Sequence, residues 1–414
     1  MRKKRKFIFF TIILTLIFSV NIPIFAFDKE SIDNSSVEKT INNYFSIYFK
    51  SLETLETPNY MDVVEENSNT QLYKAINEIQ VEQNKIGNLS YQNIVFDLNY
   101  QDISINEENA EVSVLMSCKY NYSTTPNSES SMSGVMYKFN LSKRNSNWII
   151  TNIDTNFEAF NTFKEEFNKR NEMKAKKLET IDVSTIIDEV KTKFINDAKE
   201  TAIYLGGSSK ADKTEKIESD KIPNLAYSSY SYNTSAGVNY ALNHAESRNT
   251  YFYYVPQNDC TNFVSQCLWA AYGGYNSGIS SRVRMSDNWY AGSGGGSPAW
   301  ESVTGLWNQV VTNYPGNGPN GTGYNNNAPY YDFAPGRIYL GEVLQFRNID
   351  SSNEYTHSVY VTSSGNTNND YYNEILVSQH TDNWKNRNLW ELILNKGGNS
   401  CYMRDIAFTS AYLN

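Results

Sequence analysis

Asn258-Asp259-Cys260-Thr261-Asn262-Phe263-Val264-Ser265-Gln266-Cys267-Leu268 is the stretch on which the reading of this 414-residue chain turns. Phe263, Val264, Cys267 and Leu268 recur at helical spacing, and Asp259 is a good N-cap type. The spacing therefore predicts a buried helix that starts at Cys260 or just after it. A thiol at that position meets the positive end of the backbone dipole and unpaired N–H groups, and both favour the nucleophilic thiolate. Backbone amides at Cys260 and Asn258 are candidates to face a developing oxyanion. A buried structural cysteine is the commoner fate of a lone Cys, so the reading needs a base.

The chain has only three histidines, His244, His357 and His380. Thr356-His357-Ser358-Val359-Tyr360-Val361-Thr362 reads as a strand, Ser363 to Asp370 as a turn-rich stretch, and Asn373 to His380 as a second strand. A hairpin folded near Thr367 sets the start of the first strand opposite the end of the second, which makes His357 and His380 neighbours. Alternation places His380 and Asp382 on one side if that strand continues. His357 is the expected base, with His380 favoured to hold its ring and Asp382 as second choice. His244 sits in a polar helical setting and reads as structural.

The N-terminus speaks to location. A basic run, Arg2 to Lys6, precedes an apolar stretch from Phe7 to Val20 and a small-residue exit at Ala26. This is the pattern of a secretory signal peptide over residues 1–26, and no later segment is long and apolar enough to span a bilayer. The formal charge of −9 becomes about −14 without the five basic residues of that run. An acidic exported chain argues against nucleic-acid binding. Cys118, Cys260, Cys267 and Cys401 are too few and too scattered for a disulfide scaffold, and without a CxxC pair no metal or other cofactor is expected. Cys267 reads as core packing, and a bond to Cys401 stays open.

The remainder divides by pattern. Helical periodicity covers about 31–53 and 69–85, followed by alternating strands at 94–98, 110–115, 134–141 and 148–153, with turn signals at 106–109, 125–127 and 144–147. Helices followed by an antiparallel meander make residues 28–155 a small α+β domain. Its order is similar to cone-shaped folds of the nuclear transport factor 2 or cystatin type, without a motif. Residues 156–226 read as a helical connector that ends in a charged linker from Gly206 to Lys221. From 227 to 414 the composition turns to Tyr, Asn, Gly and Trp. Within it, Gly292 to Ser297 reads as a flexible rim and Asn313 to Gly336 as a long loop over a cleft. Trp289, Tyr290, Trp300 and Trp307 read as packing residues.

This last region resembles the family called "Putative amidase domain", related in layout to the papain-like and NlpC/P60 hydrolases. The resemblance rests on Tyr232-Asn233, Gly237 to Ala241, Asp259 to Gln266, Trp289, Trp300 to Val303, Gly341 to Phe346, Thr356-His357-Ser358 and Ser378 to Thr381. The family's Gly-Asp before the central strand is Gly341-Glu342 here. The resemblance implies cysteine-dependent amide hydrolysis by Cys260 and His357, with the Cys helix packed on an antiparallel sheet. Together with export it implies a cell-envelope peptide or peptidoglycan fragment as substrate. An acyl transferase on the same pair and an inactive cell-envelope binding module are the alternatives.

Overall fold

The computed structural model describes residues 28–176, 182–205, 215–218, 226–255, 258–275, 282–312, 317–348, 354–364 and 371–414. The expected signal segment, most of the 206–221 linker and the Thr367 turn lie outside them. Among the described residues no helix is long and apolar enough to cross a membrane.

In the front region α1 (Asp28–Thr54) and α2 (Ser68–Ile86) pack on the meander β1 (Tyr91–Ile105), β2 (Asn109–Tyr122), β3 (Thr125–Arg144) and β4 (Asn147–Thr155). One stripe of α1, including Ile41, Phe45, Phe49 and Leu52, is buried, as the helical period requires. A capping box starts α2. The Asn67 side chain accepts from the backbone N–H of Asn69 and Thr70, and Thr70 Oγ1 accepts from the Asn67 N–H. The turn expected at 125–127 falls two residues earlier, because Tyr122 pairs with Thr125 and only Ser123 and Thr124 remain between the strands. Gly134, with φ +79°, lies at the register shift that bends β3. Its first part can then pair elsewhere while its second part pairs with β4. Two further helices, α3 (Glu158–Lys176) and α4 (Val183–Ala202), follow.

The rear region runs β5 (Lys216–Ile217), β6 (Ser228–Ser231), α5 (Thr234–His244), α6 (Cys260–Ala271), β7 (Ala291–Gly292), β8 (Gly295–Gly296), α7 (Pro298–Glu301), α8 (Val303–Val310) and β9 (Gly318–Tyr324). It continues with β10 (Val343–Asn348), β11 (His357–Ser363), β12 (Leu376–Gln379), β13 (Asn383–Asn388), α9 (Leu389–Asn395) and β14 (Cys401–Leu413). Three expected loops contain strands. Lys216-Ile217, inside the linker, pairs with β9. The 313–336 segment supplies β9 itself, which pairs with β14, and the glycine-rich rim is a short hairpin.

All these elements belong to an α+β fold with a large antiparallel sheet. Its strand order is β1-β2-β3-β13-β12-β11-β10-β14-β9-β5, with β4 on β3 and β6 on β14; β7 and β8 form a separate pair. The front meander and the rear sheet join where Asn383, Trp384 and Lys385 of β13 pair with Ser133, Met132 and Ser131 of β3. The joint is filled as well as hydrogen-bonded. Trp384, Trp390 and Leu394 belong to the front hydrophobic core. A Cβ at Gly87 would lie 2.3 Å from Trp390 Nε1, so only glycine lets the indole approach. In the rear, Val343, Tyr360 and Ile406 pack toward α5, α6 and α8, whereas Leu344, Val359, Val361 and Val377 pack toward α9. Cys267 lies in the first of these cores and Cys401 in the second, and both are free thiols.

Candidate active site

Every residue of α6 is buried, and Cys260 is its first residue. Asp259 does not cap the helix with its side chain. Its carboxylate is used three other ways. Oδ2 lies 2.6 Å from His380 Nδ1, and Oδ1 accepts from the Val255 N–H at 3.0 Å and from Asn262 Nδ2 at 2.8 Å. The Asp259 N–H in turn donates to Thr381 Oγ1 at 3.1 Å. The start of α6 is thereby tied to the residues that follow β12. As a first-turn amide, the Cys260 N–H makes no hydrogen bond among the described residues.

Cys260 is 5 % exposed and packs against Val303 and Tyr355. Its sulfur is 3.8 Å from Thr261 Oγ1, and the nearby backbone N–H of Ser358 favours its ionised form. Burial pushes the thiol up from its ordinary value, against the expectation that the helix start would favour thiolate. Desolvation of a charged sulfur is the larger effect here. His357 is 6 % exposed, and burial, aided by the positive charge of Lys396, pushes its imidazole down to about 3. Both groups therefore rest neutral at neutral pH. The imidazole and the sulfur are not hydrogen-bonded to each other; the sulfur sits instead near the amide of the residue next to His357.

The imidazole of His357 is held by Gln379, whose Oε1 lies 3.2 Å from His357 Nε2. A carbonyl oxygen only accepts, so Nε2 carries the proton and Nδ1 is left as the basic nitrogen. His357 Nδ1 has no hydrogen-bond partner among the described residues. The hairpin expected for β11 and β12 forms, in the register Tyr360 with Ser378 and Val361 with Val377. That register corrects the expected pairing of the two histidines. Odd-numbered residues of the two strands share one face and even-numbered residues the other, which puts Gln379 with His357 and turns His380 away. His380 instead donates from Nε2 to the His244 carbonyl at 2.8 Å and stacks on Phe263 at 4.2 Å. Gln379 is thus the residue that pattern reading passed over, although strand parity pointed to it.

The remaining candidates are also drawn elsewhere. Asn258 is exposed, and its backbone N–H donates to the Val255 carbonyl at 3.2 Å, so that amide is already used. β12 stops at Gln379, and Thr381 and Asp382 take positive φ values of 64° and 57°, so alternation does not carry on to Asp382. Burial, together with the charge of Glu158, pushes the Asp382 carboxyl up to about 6, although the nearby Glu158 N–H at the start of α3 favours its ionised form. Glu158 lies 2.9 Å from Arg387 Nη1 and 2.5 Å from Lys396 Nζ. Burial opposes its ionisation, but Lys396 and Arg387 outweigh that and hold its carboxyl well below the usual range. Among the described residues no group of three His, Cys, Asp or Glu side chains is arranged to hold a metal ion.

No curated protein matches the chain. Two solved structures overlap it slightly: a conserved protein from Planctomyces limnophilus and the Kfla4162 protein from Kribbella flavida. The first is 12 % identical over 30 % of this chain and 94 % of its own, with a TM-score of 0.21. The second is 10 % identical over 30 % and 90 %, with a TM-score of 0.23. Neither overlap is close enough to bear on the site. The stretch that holds Cys260, His357 and Gln379 is matched differently: residues 231–404 match the model of the family described as "Putative amidase domain".

Proposed function

We propose that this chain is a secreted cysteine amidohydrolase in which Cys260 is the nucleophile, His357 the base and Gln379 the residue that orients the base. In this reading residues 1–26 are a signal peptide, 28–155 an accessory domain of the nuclear transport factor 2 type and 156–226 a helical connector. Residues 227–414 are the catalytic domain, of papain-like and NlpC/P60-like layout. The carrying observation is that Gln379 occupies Nε2 of His357, while the backbone N–H of the next residue, Ser358, favours a thiolate at Cys260. The nitrogen left basic, Nδ1, belongs to the residue before Ser358, on the sheet face turned to α9, so in this reading the imidazole moves toward the sulfur when substrate enters. Catalytic contacts in a substrate-free enzyme are commonly long and tighten when substrate enters.

In the reaction, His357 Nδ1 takes the thiol proton and the thiolate adds to an amide carbonyl carbon. The Cys260 N–H donates to the oxyanion. The carbon–nitrogen bond breaks as the imidazolium returns a proton to the leaving amine, and a thioester remains. Water then adds to the thioester, gives its proton to His357, and the acid leaves as the thiol is restored. Export and family favour an amide in a cell-envelope peptide, such as a peptidoglycan stem or cross-bridge. Cys260→Ala should abolish release of new amines and carboxylates from purified wall fragments, read by mass, with thermal melting unchanged. Turnover by a folded Cys260→Ala protein would exclude this mechanism.

A further inference from the structure

Arg404 lies two strands away from Ser358, whose amide lies near the sulfur. It pairs across the sheet with Gln345, and Gln345 pairs with Ser358. Cross-strand partners share a face, so all three point to the side on which α6 packs. At a strand spacing of roughly 4.8 Å, the Arg404 and Ser358 Cα atoms are about 10 Å apart, within reach of an arginine side chain working on a bound substrate. The link is continuous in hydrogen bonds. Arg404 Nε donates to Gln345 Oε1 at 2.7 Å, Gln345 Nε2 lies 3.3 Å from Ser358 Oγ, and that hydroxyl is 3.1 Å from Thr261 Oγ1.

The guanidinium is unusual in its company. Arg404 is 5 % exposed, with its Cζ 4.0 Å from the centre of the Trp307 ring and 3.9 Å from that of Tyr355. Tyr355 is the same ring that packs against Cys260. The oxygen partners of Arg404 are uncharged amides, Gln345 and Asn326, the latter 3.1 Å from Nη1. Nη2 is buried with no partner, and among the described residues no carboxylate pairs with Arg404. Burial pulls its ordinary value down to about 9, which still leaves it charged at neutral pH. A buried charge normally carries an opposite one. Aromatic faces supply only part of that compensation. Asn326 and Tyr402 are half-buried and Asn327 is exposed, so this wall of the site reaches solvent.

We propose that Arg404, backed by Tyr355 and Asn326, forms a carboxylate subsite beside Cys260, so that the amide cleaved lies within a few bonds of a free carboxylate on the substrate. The inference rests on Cys260 being the nucleophile. A guanidinium recognises a carboxylate through paired N–H donors, and Nη2 is the donor at hand.

The test uses two alkylating probes with the same electrophile, bromoacetylglycine and bromoacetylglycinamide. Their rates at Cys260 are read by peptide mass in the full-length protein. The acid-to-amide rate ratio cancels the thiolate fraction and reports the charge around the site. It should fall about tenfold in Arg404→Met, the low end of what a hydrogen bond to a charged group contributes. It should fall likewise in Asn326→Asp, which places a competing carboxylate on Nη1 without removing a buried side chain. If Arg404→Met does not fold, Asn326→Asp decides. An unchanged ratio in the folded variants overturns the subsite and leaves the nucleophile standing. A Cys260 that resists both probes in the native protein removes the nucleophile, and the subsite with it.

Discussion

Two charged side chains, half-buried Glu391 and buried Arg404, are treated differently. Glu391 of α9 enters the front core and accepts hydrogen bonds from Tyr91 and Tyr122 at 2.8 and 2.7 Å, in a cluster where Tyr91 stacks on Tyr120. Burial raises its carboxyl, and the tyrosine hydroxyls and Arg387 pull the other way. Arg404 in the rear has amide oxygens, two aromatic faces and one donor without a partner. Nearby, the Cys260 amide and His357 Nδ1 also lack partners among the described residues. At the joint the Glu391 carboxylate is answered by tyrosine hydroxyls, although Trp384 Nε1, Trp390 Nε1 and Arg387 Nε are buried without partners. In the rear, a buried cation without a carboxylate partner among the described residues packs on Tyr355, the ring that also packs against Cys260. The front region thus acts as the socket that holds α9 through Glu391, Trp390 and Leu394.

The strongest way to break this contrast is to empty the socket. Trp390 is fully buried at the joint. Trp390→Ala should cost about 3–5 kcal/mol, the usual range for deleting a buried aromatic side chain. Urea unfolding should remain a single transition, because the front core takes in Leu376, Trp384, Trp390 and Leu394 of the rear region. A variant that loses less than about 1 kcal/mol, or whose rear region melts separately, would show that the socket does not hold the halves together.

A smaller effect sharpens the division of labour between the two residues at the end of β12. Gln379→Ala should lower kcat about 10- to 100-fold with little change in KM, equivalent to about 1.4–2.8 kcal/mol in the barrier. His380→Asn should act chiefly on stability, since His380 ties Asp259 to the end of α5. A larger kcat loss in folded His380→Asn than in Gln379→Ala would reverse the assignment.

The smallest expected effect concerns Glu342, just before β10. Its carboxyl accepts from the Tyr339 N–H at 2.6 Å, and burial pushes it up to about 8 beside the raised carboxyl of Asp405. Between its ordinary value and about 8 the folded chain keeps a proton that the unfolded chain has released. This group's contribution therefore makes stability fall as pH rises through that window. Glu342→Gln should flatten that part of the profile, a difference on the order of a few degrees in Tm across pH 5 to 8. An unaltered slope would mean that Asp405 carries the titration alone.

Much of the architecture was legible because periodicity is local. The stripe on α1, the alternation of β2 and the helix that begins at Cys260 each follow from residues within one element. The strands inside the expected loops were hidden because β5 and β9 are rich in neither β-branched nor aromatic residues and are held by their neighbours in the sheet. At the site, the hairpin of His357 could be read from its two apolar runs. The identity of the side chain facing it depended on parity, where a slip of one residue exchanges Gln379 for His380. Asp259 suited a cap by type, but a buried histidine competed for the same carboxylate.

By itself, the order of residues determined the helix, the strands and the few groups able to do thiol chemistry, since each depends on neighbours along the chain. Tertiary structure alone decided that Gln379 faces His357, that burial keeps the thiol and imidazole neutral, and that Arg404 lies beside Cys260 without a carboxylate partner among the described residues. Those outcomes depend on cross-strand register and on exclusion of water, and both arise only when distant segments meet.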